Sequence, residues 1–186
     1  MAKKIKVDVL SPSSLQKCID EIKGYKGSVN TKCQRVVKRL TEEAIRIISM
    51  KIAEAAITVE TTSSGTEIES GQNFAKTPTK EYYNTAQSSM SVISVDGEDI
   101  LFIEFGAGVY YNGAAGTSPH PKGEMFGFVI GGYGQGKGAN KVWGYIGEDG
   151  ELHLTHGVKA TMPMYSAIME ITRLAPIICK EVFGGS

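Results

Sequence analysis

The chain lacks any apolar run of 18 residues, so no membrane-spanning helix is expected, and its first residues lack the hydrophobic core of a secretory signal. The expectation is a soluble protein made in the cytoplasm. Cysteine is scarce: Cys18, Cys33 and Cys179 form no CxxC pair, and the odd count leaves one without a mate. Each falls in an apolar helical stripe and reads as a small core residue in a reducing compartment. Excess charge is also missing. Twenty basic residues balance twenty acidic ones, which argues against a protein whose main task is neutralising nucleic-acid phosphates. The run Lys3, Lys4 and Lys6 is too short for a basic patch and reads as a solvated terminus.

What is present suits one domain of 186 residues with an extended arm. Ile5, Val7 and Val9 alternate with polar residues as in a short strand. Ser11-Pro12 supplies an N-cap and a first-turn proline for a helix to about Ile22, which Gly24-Tyr25-Lys26-Gly27 should break. The next helix is the spine. Val29, Cys33, Val36, Val37, Leu40, Ala44, Ile47, Ile48, Ile52 and Ala55 recur at three- and four-residue spacing. At about 1.5 Å per residue it is a rod of roughly 40 Å.

Ile57–Thr61 reads as a strand, while 62–88 shows little regular structure. A hairpin is expected from Met90–Val95 and Ile100–Phe105 around Asp96-Gly97, and a second from Lys141–Ile146 and Leu152–Thr155 around Glu148-Asp149-Gly150. A closing helix runs from about Met162 to Phe183, with Pro176 expected to kink or interrupt it. The order of elements gives an α+β fold: an antiparallel sheet of two hairpins plus flanking strands, packed on the long helix and the C-terminal helix.

Between the hairpins lies a glycine-rich segment, 106–141, too long for an idle loop in a compact domain. Its Gly131-Gly132-Tyr133-Gly134-Gln135-Gly136-Lys137 matches the start of a phosphate-binding loop. Gly138 stands where that motif needs Ser or Thr for magnesium, and a strand pattern follows where it needs a helix. A nucleotide-binding enzyme is therefore the alternative reading, not the first. His120, His153 and His156 have no carboxylate or cysteine at metal-ligand spacing, so no metal, cofactor or catalytic residue is assigned. Glu104 has no partner carboxylate for acid–base work and reads as a strand-edge cap or a pair to a neighbouring subunit. Tyr110, Tyr111, Phe126, Phe128, Tyr133, Trp143 and Tyr145 concentrate aromatics in and beside the segment, as an interaction arm would need. Deleting about 115–140 should then leave the body folded.

Ile103-Glu104-Phe105-Gly106-Ala107-Gly108 resembles the "(I/V)EFGTG" signature of tail-completion and head–tail joining (neck) proteins of tailed bacteriophages. His156-Gly157-Val158-Lys159-Ala160-Thr161-Met162-Pro163-Met164 resembles their closing "G-(I/V)-x-A-x-P-(F/M)" motif, and Trp143-Gly144-Tyr145 the strand between the two. Ala107 replaces the usual Thr, and the family's "TG-x-L" segment is missing from 62–88.

The resemblance implies a non-catalytic virion protein forming a ring, six-fold in the family, at the neck or upper tail. It would assemble in the host cytoplasm with adjoining neck, tail-terminator or tail-tube proteins. No specific nucleic-acid binding is implied, although such a ring leaves a passage for DNA. The residues expected at subunit interfaces are Glu104, Phe105, Tyr110, Tyr111, Phe126, Phe128, Tyr133, Trp143, Met162 and Met164.

Overall fold

The computed structural model describes residues 11–74, 77–97, 99–107, 118–128, 142–147 and 149–184. The strand expected at 5–9, the glycine run 131–138, and Tyr110, Tyr111 and Tyr133 lie outside them.

The α+β architecture holds. Helix α1 spans Pro12–Ala53, and strands β1 and β2 are Thr58–Thr61 and Glu67–Ser70. Strands β3 and β4 are Thr79–Asn84 and Ser89–Ser94, followed by helix α2 at Asp99–Phe105. Strands β5 and β6 are Trp143–Ile146 and Leu152–Thr155, and helix α3 is Pro163–Gly184. The chain divides into two compact units. A helical unit takes the described residues up to Thr41, Lys80–Val92 and those from Arg173; a sheet unit takes Glu42–Thr79 and Ile93–Thr172.

The sheet unit holds a four-stranded sheet in the order β1-β2-β6-β5. β1–β2 and β5–β6 are antiparallel; β2 and β6 run parallel, in register at Glu69 and Thr155. The hairpin expected at 141–155 forms as β5–β6. The core combines Ala44, Ile47, Ile48, Ile52 and Ala55 with Ile100, Ile103, Val158 and Ala167.

The helical unit packs Val36 and Leu40 of α1 against Leu174, Ile178, Cys179 and Val182 of α3. Arg39 pairs with Glu181 at 2.8 Å. The buried Thr41 hydroxyl donates to the Val37 carbonyl at 2.8 Å and shares a 2.5 Å hydrogen bond with Ser91 Oγ.

Four expectations are corrected. First, α1 does not break at 24–27. Its N-terminus is capped as expected, Ser11 Oγ accepting the Ser14 N–H at 3.3 Å, but Gly24 and Gly27 stay helical. Glycine costs about 1 kcal/mol per helical position, which weakens a helix without ending it.

Second, Ile100–Phe105 is helix, not strand. Alternation would place Leu101 with Ile103; instead Ile100, Ile103 and Glu104 are buried while Leu101 is 39% exposed. A six-residue segment that is apolar except at Glu104 satisfies both periods, and packing of Ile100 and Ile103 against α1 decides for helix.

Third, residues 62–88 contain strands, and the hairpin partner of β4 is β3. Its turn is built by Thr85, whose Oγ1 accepts the Gln87 and Ser88 N–H groups at 3.2 and 2.9 Å. Fourth, α3 runs through Pro176 without interruption.

Candidate functional site

The two segments that carry the phage-protein resemblance fold onto each other within the sheet unit. Helix α2 ends at Gly106, whose N–H reaches the Phe102 carbonyl at 2.7 Å with φ +81°. Only glycine adopts that conformation without strain, and a Cβ there would stand 3.2–3.3 Å from Ala160 and the Val158 carbonyl. Ala107 and Val158 then exchange both backbone hydrogen bonds, at 2.8 and 3.2 Å, and the Thr161 N–H reaches the Ile103 carbonyl at 3.0 Å. Thr161 Oγ1 donates to the Lys51 carbonyl at 2.6 Å, fastening the same segment to α1.

Glu104 is the centre of this junction. Its Oε2 accepts the Met164 N–H at 2.8 Å, and its Oε1 the Tyr165 N–H at 2.9 Å. These are the orphan amides of α3. Pro163 at the first helical position has no N–H, and the Ser166 N–H is already bonded to the Met162 carbonyl at 2.8 Å. Met162 cannot cap the helix itself, having no oxygen in its side chain, and it sits at φ +53°. Glu104 supplies the cap from a distant element, and its negative charge meets the positive end of the helix dipole. Its expected role as a strand-edge cap is thereby corrected. The carboxylate closes a helix of its own chain.

Residues 118–128 complete the site. Ser118 and His120 are buried, and Phe128 is 3% exposed and stacked on Phe105 with centroids 4.1 Å apart. His120 Nε2 stands 3.3 Å from Glu104 Oε1, while its Nδ1 accepts the Lys122 N–H at 3.0 Å. That backbone donor selects the tautomer with the proton on Nε2, facing the carboxylate. The imidazole is further held edge-on by Phe105 and Tyr165, at 4.6 and 5.1 Å. Ser118 Oγ donates to the Phe105 carbonyl and accepts the His120 N–H. A Ser, a His and a Glu thus meet. The hydroxyl bonds backbone groups and not the imidazole, however, so the nucleophile–base hydrogen bond of an acyl-transfer triad is not formed. The arrangement can hold a helix, a turn and a loop together.

The expected interface residues divide accordingly. Glu104, Phe105 and Phe128 are buried in the sheet unit, Met164 packs against its core, and Phe126, tilted on Phe105 at 5.6 Å, is 52% exposed beside the exposed Met125. Trp143 belongs to β5. Of the glycine-rich segment, the described residues 106–107 and 118–128 pack onto this unit, where Ser118, His120 and Phe128 are buried.

A second polar cluster has no counterpart among the expected residues. His153 on β6 lies between two carboxylates, Nδ1 at 3.1 Å from Glu69 Oε1 and Nε2 at 3.0 Å from Asp149 Oδ2. The Tyr145 hydroxyl donates to Glu69 Oε2 at 2.8 Å, and its ring stacks on the imidazole with centroids 5.2 Å apart. Hydrogen bonds to Glu69 and Asp149 raise the His153 pKa above its ordinary value. The Glu69 bond raises that of Tyr145. Asp149 is lowered, first by the Glu151 N–H and then by His153. His153 was visible in the sequence; Glu69, 84 positions away, was not.

Among the described residues no group of three or more His, Cys, Asp or Glu is placed to hold a metal ion, and no helix is long and apolar enough to cross a membrane. Compared with family models, curated proteins and solved structures, the chain gives no match.

Proposed function

We propose that the protein is a structural component of a tailed phage or phage-tail-like particle, forming a ring at the neck or upper tail that completes the tail and joins it to the head. The observation that carries this reading is the meeting of the two motif segments. Glu104 of the first caps the helix opened by Pro163 of the second, and Ala107 and Val158 pair their backbones between them. Residues 103–107 and 156–164 lie far apart in the chain, so a chance likeness in each would carry no reason for them to form one junction. The polar groups of that junction are spent on one another and on backbone amides, which suits a part that must keep its shape within an assembly.

Partners in this reading are further copies of the chain and the adjoining neck, terminator or tube rings. Met125 and Phe126 offer exposed apolar surface beside the junction. The test is a particle experiment. Removing the gene from its phage should leave heads and tails unjoined under the electron microscope, and antibody labelling should find the protein at the neck or upper tail. Normal, infectious particles without it would refute the reading.

A further inference from the structure

The two hairpins of the sheet, β1–β2 and β5–β6, meet along β2 and β6. Each hairpin pairs four residues with four, but β2 and β6 share register at Glu69 and Thr155 alone. Backbone bonds fasten the base of the second hairpin: the His156 N–H reaches the Glu69 carbonyl at 2.8 Å, and the Gly71 N–H reaches the Gly157 carbonyl at 2.9 Å. Toward its tip the ties are side chains. Glu69 Oε1 meets His153 Nδ1, and Glu69 Oε2 accepts the Tyr145 hydroxyl. On the far side of the ring, His153 Nε2 meets both carboxylate oxygens of Asp149, at 3.2 and 3.0 Å. The turn leaves room for this last contact at Gly147. A Cβ there would lie 2.6 Å from Asp149 Oδ1 and 2.7 Å from His153 Nε2. The φ of Gly147 is outside the left-handed region, so it is the side-chain pair and not the backbone that calls for glycine.

An imidazolium donates from both ring nitrogens; the neutral ring donates from one and presents a lone pair to whatever faces the other. We propose that His153 is a pH-operated latch: charged, it ties the β5–β6 turn to β2 through Asp149 and Glu69, and on giving one N–H proton to solvent it keeps Glu69 and releases the turn. Burial decides which carboxylate is let go. The Glu69 side chain is 21% exposed and that of Asp149 55%, so water replaces a lost bond more readily at Asp149. Asp149 also keeps a second donor, the Glu151 N–H at 3.0 Å. Among the described residues the titratable groups facing the ring are Glu69 from β2, Asp149 from the turn and Tyr145 from β5. The two carboxylates hold the ring's pKa above 6.5, and Tyr145, raised above 10, stays a neutral phenol throughout. The latch is therefore closed below the folded-state value and opens as pH rises through it. It does not rest on the ring reading and survives its failure.

NMR of the full chain between pH 5.5 and 8.5 decides it. Carbon relaxation at the Cα–H groups of Gly147, Gly150 and Glu151 reads the order of the turn, and the ring resonances of His153 read its titration. The order parameters should fall from about 0.85 to below about 0.6, or dispersion should appear on the slower timescale, with the midpoint of the His153 titration. The Glu69 Cα–H should stay rigid throughout. In His153→Gln the turn should lose all dependence on pH over this range. Gly147→Ala separates the contact from the charge. Its methyl displaces the Asp149 and His153 side chains while the turn keeps its bonds from the Gly147 N–H to Glu151 and from the Gly150 N–H to residue 147. That variant should be mobile in the turn already at pH 5.5, with the His153 titration moved down toward 6.5; if it does not fold, His153→Gln alone decides. A parent turn equally ordered at both pH values on both timescales would overturn the latch, as would an unchanged pH response in His153→Gln. Release on the Glu69 side with the turn still rigid would overturn the direction of opening.

Discussion

Replacing Glu104 removes the acceptor of two α3 amides at 2.8 and 2.9 Å inside a buried junction. Hydrogen bonds to a charged group are worth about 1.5–3 kcal/mol each, and the helix-end interaction adds about 1 kcal/mol. These terms overlap, so Glu104→Ala is expected to cost about 3–5 kcal/mol, the amides being left without partners. Glu104→Gln is the sharper test because it keeps the volume. One amide oxygen still accepts from Met164 or Tyr165, but the NH2 group then faces another donor, either the second amide or His120 Nε2. Its cost should be intermediate, about 2 kcal/mol, or a fall in Tm of about 4–8 °C for a chain of this size.

Urea unfolding followed by circular dichroism measures the global loss, and amide hydrogen exchange read at Met164 and Tyr165 measures the local one. Protection at those two amides should fall in both variants before the rest of α3 changes. If Glu104→Gln stays within about 0.5 kcal/mol of the parent and both amides keep their protection, the carboxylate is not the cap and the reasoning fails.

Phe128→Ala should destabilise by about 3–4 kcal/mol in chemical denaturation, because its ring is buried on Phe105; a loss below about 1 kcal/mol would return residues 118–128 to the status of a free arm. For His153 the sign follows from its raised pKa. Its ion pairs with Glu69 and Asp149 stabilise fully below the ordinary value of 6.5 and are lost as pH rises through the folded-state value. Denaturation curves at pH 5.5 and 8.5 should therefore show the parent losing more stability across that interval than His153→Gln. The lowered pKa of Asp149 works at the other end, its share being lost as pH falls through its folded-state value, below 3.8. Two glycines should respond with opposite signs in thermal melts. Gly24→Ala, in an open helical position, should stabilise by about 0.5–1 kcal/mol. Gly71→Ala should destabilise by about 2–4 kcal/mol, since at φ +97° its Cβ would come within 2.5 Å of the Ala55 carbonyl oxygen.

Much of the framework is legible in local pattern. The long three-and-four stripe of α1 needed only its own residues to be recognised, because an amphipathic helix states its period locally. The cap at Ser11, the hairpin at Asp149-Gly150 and the closing helix after Pro163 were legible for the same reason, each being written within a few neighbouring positions.

Three matters depended on tertiary packing. Ile100–Phe105 is short enough to satisfy either period, and only its packing on α1 made it helix. Gly24 and Gly27 weaken a helix without forbidding it, so the continuity of α1 rested on the balance of the whole segment. The site was the least legible part. Glu104 was visible as a lone carboxylate after an apolar run, but its meaning depended on the Met164 and Tyr165 amides some sixty positions away. A helix end without a cap of its own leaves a demand that no local pattern names. Which residue meets that demand is settled by the fold, since long-range polar pairs form where packing brings desolvated groups together.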